Sequence, residues 1–297
     1  MDDKPNLFQS WWLAIRPRTL PAAASGVAMG SALAWYDGAF HLFPALAALM
    51  VALLLQITSN VANDVFDFER GADTPERLGP VRVTQAGMLT PVQVKRGLTI
   101  IIGLVILFGL YLATLRGWTV IWLGAAAILS AVAYTGGPYP LGYHGLGDVF
   151  VFLFFGLAAV AGTYFVQVGS VSPAAWWMSV PIGFIVTAIL VVNNLRDIES
   201  DCKAGKHTLA VRMGENATKA EYVILMSVAY LIVPVLIWLK MIPVGGMLAW
   251  LSLPLAIRTL RVVLTQTGRP LNTALAGTGQ TAFLFSILFW LGLLLRL

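Results

Sequence analysis

Cysteine, histidine and charge are all scarce in this chain. One cysteine, Cys202, stands in 297 residues, which excludes an intrachain disulfide and a zinc site built from several thiolates. Charged residues make up 11% of the chain and hydrophobic ones 58%, with a mean hydropathy of +0.80, whereas soluble domains carry about 25% charge. No water-soluble core accounts for that balance, and the composition is that of a polytopic membrane protein. The opening residues, Met1 to Pro5, lack the positive n-region and small-residue cleavage site of a signal peptide, so no cleaved leader is expected.

What is present is a succession of apolar runs. They predict about nine membrane spans, near residues 19–37, 42–64, 97–115, 118–134, 146–168, 175–194, 219–239, 243–260 and 274–296. The expected fold is a single-domain, all-α integral membrane protein over 1–297, its helices surrounding a central cavity. With the N-terminus inside, 16 of the 19 basic residues fall on cytoplasmic segments, and only Arg116, Lys240 and Arg296 fall outside. That asymmetry obeys the positive-inside rule and puts the polar loops 65–96 and 195–218 on the cytoplasmic side of an inner or plasma membrane. The net charge of +5 therefore reports topology and not nucleic-acid binding. Near the start, Trp11 and Trp12 suit an interfacial belt, Pro17 and Pro21 break the entering helix, and Arg16 and Arg18 serve as topology anchors or as ligands for an anion.

Acids are few, and they are concentrated. Nine of the fourteen are Asp64, Asp67, Glu69, Asp73, Glu76, Asp148, Asp197, Glu199 and Asp201. If the helix of the second span continues through NDVFDFERGAD, 100° per residue places Gln56, Asn60, Asn63, Asp64 and Asp67 within about 100° of arc. The second polar loop, NNLRDIESDCKAGKHTLAVRMG, sets Asn193, Asp197 and Asp201 at successive i, i+4 positions. Asn63 and Asp67 thus share a spacing that Asn193 and Asp197 repeat 130 residues later. The segments 63–73 and 193–201 are expected to be a pseudo-repeat facing one cavity. Between them, YTGGPYPLGYHGLGD packs five glycines and two prolines into fifteen residues. It forbids regular helix and supplies Tyr134, Tyr139 and Tyr143, with Asp148 at the start of the next span.

Facing clusters of carboxylate and amide oxygens suit a hard cation, and magnesium is held by a few carboxylates together with substrate phosphate oxygens. Interspersed Arg and Lys would grip those phosphates. A diphosphate at the surface with an apolar cavity beneath it describes an amphiphile whose tail lies in the bilayer, and a long isoprenyl diphosphate fits. Ionisation of its C–O bond would give an allylic cation sheltered from water, for attack by an electron-rich acceptor. No nucleophilic side chain is needed, in keeping with the lack of a convincing Ser-His-Asp or Cys-His set. A cation-coupled transporter would instead place its polar sites near the midplane, yet here the acids cluster at cytoplasmic ends.

At these residues the chain resembles the UbiA superfamily of intramembrane prenyltransferases. NDVFDFERGAD with LGPVRVTQAG, the YTGGPYPLGYHGLGD loop and NNLRDIESDCKAGKHTLAVRMG most resemble the branch that prenylates 1,4-dihydroxy-2-naphthoate. Relatives using homogentisate or 4-hydroxybenzoate, or a phytyl donor, are the alternatives. The resemblance implies magnesium and diphosphate ligation by Asn63, Asp67, Asp197 and Asp201, with Asp64 and Asp73 as further candidates and Asn193 in support. It also implies diphosphate contacts from Arg16, Arg82 and Lys206, and an acceptor side at Tyr134, Tyr139 and Asp148. Asp67, Asp197 and Asp148 are the expected catalytic residues. The implied partners are a polyprenyl diphosphate, 1,4-dihydroxy-2-naphthoate and the lipid bilayer. The implied products are demethylmenaquinone, carbon dioxide and diphosphate.

Overall fold

A computed structural model describes residues 6–72 and 78–295, and the secondary structure among these is helical. A short helix α1 (Leu7–Ile15) precedes nine longer ones: α2 (Leu20–Tyr36), α3 (Leu42–Glu69), α4 (Pro91–Arg116), α5 (Trp118–Ala133), α6 (Gly147–Val168), α7 (Pro173–Arg196), α8 (Glu215–Trp238), α9 (Val244–Thr265) and α10 (Leu271–Leu294). All nine expected runs carry a helix. Seven of them, α3, α4 and α6 to α10, are long and apolar enough to cross a membrane. The other two are shorter, α2 with 17 residues and α5 with 16, or about 25 Å at 1.5 Å per residue against an apolar thickness of about 30 Å. The chain is an all-α, multi-pass membrane protein.

Local sequence explains the boundaries. Asn6 caps α1 through a capping box with Gln9, and Thr90 caps α4 the same way with Gln93. Helix α1 stops at Arg16, which adopts a left-handed conformation (φ 54°) before the turn Pro17–Thr19. Gly117, at φ 69°, separates α4 from α5. Helix α2 is built largely of Ala, Gly and Ser, so it lies close against α6: a Cβ on Gly30 would overlap the Val160 carbonyl. Such close backbone approach is how membrane helices gain packing energy where lipid supplies no hydrophobic drive.

The main core lies where α7, α8 and α10 meet, with Tyr222, Phe285, Phe289, Met178 and Ile185 fully buried. A second cluster joins α1, α3 and α4 to the loop after α3 through Ala14, Val61, Val65, Val83, Leu89 and Leu98. Between them α2 to α7, with Leu275 and Gly279 of α10, border a cavity of about 720 Å³. It runs along α5 from Thr119 to Tyr134, about 22 Å at 1.5 Å per residue. Val120, Leu112 and Val166 line one end, and Asn63, Arg82 and Asn193 line the other.

Candidate active site

The polar mouth of the cavity is assembled at the end of α3. That helix is continuous to Glu69, so Asn60, Asn63, Asp64 and Asp67 occupy its last turns as one polar strip. Asn60 donates to the Ile15 carbonyl at 2.9 Å and to Thr19 Oγ1 at 2.9 Å, which fastens the Arg16 turn against the cavity wall. Asn63 accepts from Thr135 Oγ1 at 2.8 Å. Both carboxylate oxygens of buried Asp64 accept backbone amides, from Thr84 at 2.9 Å and Val83 at 3.0 Å. Asp64 therefore anchors the returning loop, and in doing so seats Arg82 above Asp67.

Asp67 is where three segments converge. Its carboxylate, 1% exposed, accepts from Arg82 Nη2 at 2.9 Å, Tyr143 Oη at 2.7 Å and Lys206 Nζ at 3.3 Å. Lys206 is also 3.9 Å from Asp201, and its ammonium lies 4.7 Å from the centroid of the Tyr143 ring, a cation–π distance. One lysine thus joins the first acidic motif to the second. The loop carrying Tyr143 is stapled to the second motif by backbone as well, since His207 N donates to the Tyr143 carbonyl at 2.8 Å and Arg212 Nη2 to that of His144 at 3.0 Å.

In the second motif the helix does not run straight through. Helix α7 ends at Arg196, Asp197 is its cap, and a short helix Ile198–Lys203 follows. Arg196 donates through Nε and Nη2 to both oxygens of Asp197. Adjacent residues do not face each other on a helix, so this bidentate pair requires the break at Asp197. The i, i+4 link survives it, because Asp201 N still donates to the Asp197 carbonyl at 2.8 Å. Arg196 Nη2 also donates to Asn193 Oδ1 at 2.8 Å.

The UbiA prenyltransferase family matches residues 23–287. This chain belongs to that family. It is 38% identical to the 1,4-dihydroxy-2-naphthoate octaprenyltransferase of Escherichia coli K12, over 97% of this chain and 96% of that one. It is 39% identical to the protein of the same name from Mycobacterium tuberculosis, over 94% and 95%. A solved UbiA homologue from Archaeoglobus fulgidus, bound to GPP and Mg2+, has the same fold over 96% of this chain and 99% of its own, with a TM-score of 0.70 at 15% identity.

Set against the expectations for a UbiA enzyme, the structure brings Asp67, Arg82, Lys206 and Asp201 into one cluster and puts Arg16, Asn63, Arg82, Tyr134 and Asn193 on the cavity wall. Asp197 stands beside Asn193, both gathered by Arg196. Asp73 lies outside the described residues. Tyr139 does not reach the cavity: it is 57% exposed and stacks on His144 with centroids 3.6 Å apart. Tyr134 does, held in a seat made by Gly147, where a Cβ would stand 2.9 Å from the phenol oxygen. Asp148 is 9% exposed, and its Oδ2 is buried without a hydrogen-bond partner among the described residues.

Arg196 and Tyr143 were the residues that sequence reasoning left out of the site. Arg196 stood next to an expected ligand, and an Arg-Asp pair at a helix end was the available signal. Tyr143 was visible only as one of three tyrosines in a glycine-rich loop.

The donors of both motifs are carboxylate and amide oxygens, with no sulfur or imidazole, which fits a hard cation. Among the described residues no three acidic, His or Cys side chains form a closed cage. A magnesium ion here would complete its shell with phosphate oxygens and water, as this ion ordinarily does.

Proposed function

We propose that the protein transfers a polyprenyl group from a polyprenyl diphosphate to the carboxylate-bearing ring carbon of 1,4-dihydroxy-2-naphthoate. Carbon dioxide and diphosphate are lost, leaving demethylmenaquinone at the hydroquinone level. The observation that carries this reading is the cavity itself: a largely apolar chamber about 22 Å long whose motif-bearing end carries Asn63, Arg82 and Asn193, with Asp67 bonded to Arg82 and Lys206, and Lys206 reaching on to Asp201. An amphiphile with an anionic head and a long apolar tail is complementary to it. The naphthoate acceptor is supported by the names of the bacterial relatives at 38–39% identity.

Asn63, Asp67, Asp197 and Asp201 would hold magnesium against the diphosphate, where the ion supplies charge neutralisation to the leaving group. Arg82 and Lys206, with Arg16 at the wall, grip the phosphate oxygens and take up the charge that develops as the C–O bond breaks. The apolar walls exclude water from the allylic cation. On the acceptor side Tyr134 donates to a ring oxygen. Asp148 takes the proton of the hydroxyl adjacent to the carboxylate as the new C–C bond forms. Loss of carbon dioxide then returns the electron pair to the ring, and Asp148 gives the proton back to the oxygen. The cycle therefore needs no net proton. We place the motif-bearing end in the cytoplasm, as the distribution of basic residues supports.

The test is turnover of 1,4-dihydroxy-2-naphthoate with a labelled polyprenyl diphosphate by purified protein in detergent, with and without magnesium. Prenylated naphthoquinone together with carbon dioxide, formed only with magnesium, is the expected result. Consumption of 4-hydroxybenzoate or homogentisate with naphthoate untouched would overturn the acceptor assignment.

A further inference from the structure

Helix α10 packs against α2, α7 and α9, yet the reaction outlined above uses none of its side chains. One of them, Asn272, has both ends of its amide committed to the acidic motifs. Its Oδ1 accepts from Arg196 Nη1 at 2.7 Å, and its Nδ2 donates to the Leu78 carbonyl at 3.0 Å. The Arg196 side chain is fully buried, at 0% exposure. Its other donors go to Asp197 and Asn193. Leu78 begins the described segment that leads to Arg82, and Arg82 donates to Asp67. A single amide therefore touches the second motif through a guanidinium and the first through the backbone that delivers Arg82.

The guanidinium is a rigid fork with donors in fixed directions. Asn193 and Asp197 belong to the same helix end as Arg196 and turn with it, so neither can fix its angle relative to the rest of the site. The hydrogen bond to Asn272 comes from another helix, and among the described residues it is the one side-chain bond from Arg196 that does. Truncating Asn272 leaves a buried charged donor without its acceptor, a costly state that the guanidinium relieves by rotating. Rotation carries the Asp197 oxygens with it.

We propose that Asn272 is a positioning residue for prenyl transfer. Acting through Arg196, it fixes the direction of the Asp197 carboxylate and the Asn193 amide oxygen. Acting through Leu78, it fixes the approach of Arg82 to Asp67, so the spacing of the two motifs is set from α10. This role rests on the reading of both motifs as holders of magnesium and diphosphate. The two ends of the amide are separable by substitution. Asn272→Asp keeps an oxygen for Arg196 and loses the donor to Leu78, and Asn272→Ala loses both.

The experiment titrates full-length protein in detergent with Mn2+ in the presence of inorganic diphosphate, following the free-ion EPR signal, and measures melting temperature and steady-state kinetics on the same preparations. Asn272→Ala is expected to weaken Mn2+ binding and lower kcat by about 10- to 100-fold, the usual effect of removing a residue that orients metal ligands. KM for the acceptor should stay within about twofold, because ground-state binding of the ring does not involve this amide. Asn272→Asp should fall between wild type and Asn272→Ala, and it carries the test if the alanine variant does not fold.

A residue that only supported the fold would lower the melting temperature and leave the Mn2+ constant alone. Mn2+ binding within about twofold of wild type in both variants would therefore overturn the proposal, as would a wild type that binds no Mn2+ with diphosphate. A wild type that binds Mn2+ but does not turn over naphthoate would remove the acceptor assignment and leave the positioning role to be decided by the Mn2+ constants.

Discussion

The two acidic motifs share a spacing and differ in how they are held. Asp67 is gripped by residues from far along the chain: Arg82 from the next loop, Tyr143 from the loop between α5 and α6, and Lys206 from beyond the second motif. Asp197 is gripped by its own neighbour, Arg196, which also holds Asn193 one turn back. The first motif is a junction of loops, and the second is a clamp built on one helix end. The junction draws on three separate segments, whereas the clamp is local to one helix end and, among the described residues, takes a single side-chain contact from outside it, the Asn272 amide of α10. In the proposed function, the diphosphate contacts that must release and re-form fall at the junction, and the fixed ligand direction falls at the clamp.

The largest effect that separates the two comes from neutralising each aspartate in turn. Asp67→Asn leaves Arg82 and Lys206 facing a neutral amide. Breaking a buried ion pair from one side costs on the order of 3–5 kcal/mol, so both the melting temperature and turnover should fall, turnover by at least about a hundredfold. Asp197→Asn should cost a similar factor in turnover with a smaller drop in melting temperature, because Arg196 keeps the amide oxygens of Asn193 and Asn272. Calorimetry or dye-free melting of the two variants checks the order. Equal melting temperatures would erase the distinction between junction and clamp.

A milder test loosens the junction without touching Asp67. Asp64→Asn replaces one acceptor of the Val83 and Thr84 amides by an NH2 group, at a cost of about 1–3 kcal/mol for the unsatisfied donor. Faster hydrogen exchange over residues 83–89 is expected. KM for the prenyl diphosphate should rise as Arg82 loses its seat, with binding of the acceptor unchanged. Tyr143→Phe is gentler still. It removes one of three donors to the Asp67 carboxylate, about 1.5 kcal/mol, and keeps the ring that faces Lys206. Turnover should fall about tenfold, by the conversion of 1.4 kcal/mol per factor of ten. A loss as large as that of Asp67→Asn would mean that the loop collapses without the phenol.

Much of this was legible in the residues because membrane helices are written in long apolar runs, and all nine appear as helices. The polar strip of α3 was legible for a related reason. Asn60, Asn63, Asp64 and Asp67 recur at helical spacing on an otherwise apolar segment, and helix periodicity carries through to Glu69. The break at Asp197 was not legible, since the i, i+4 spacing of Asn193, Asp197 and Asp201 is equally that of an unbroken helix. The break goes with the side-chain pair of Arg196 and Asp197, adjacent residues that would not face each other on an unbroken helix. The division of labour between Asp64 and Asp67 was likewise hidden. Both are aspartates of one motif, and only the course of the loop after α3 decides that one holds backbone amides while the other holds cations. Asn272, some 70 residues beyond the second motif, looks from sequence like the opening of an ordinary helix after Pro270.

The smallest effect is expected at Tyr139, and it bears on where the aromatic acceptor lies. The family resemblance implied that Tyr139 stands with Tyr134 on the acceptor side, both in the same glycine-rich loop. In the fold they part. Tyr134 lines the cavity, whereas Tyr139 stacks on His144 at the surface. Tyr139→Ala removes that stacked pair, an exposed contact worth about 0.5–1.5 kcal/mol, and leaves the His144 contact to the Pro140 carbonyl and the junction at Tyr143 intact. Turnover and KM for naphthoate should therefore stay within about twofold of wild type, while Tyr134→Phe, which removes the donor inside the cavity, lowers kcat without altering the melting temperature. If Tyr139→Ala were instead to raise KM for naphthoate with the fold intact, the ring would have to enter over this loop. The acceptor side would then extend from the cavity wall to the protein surface.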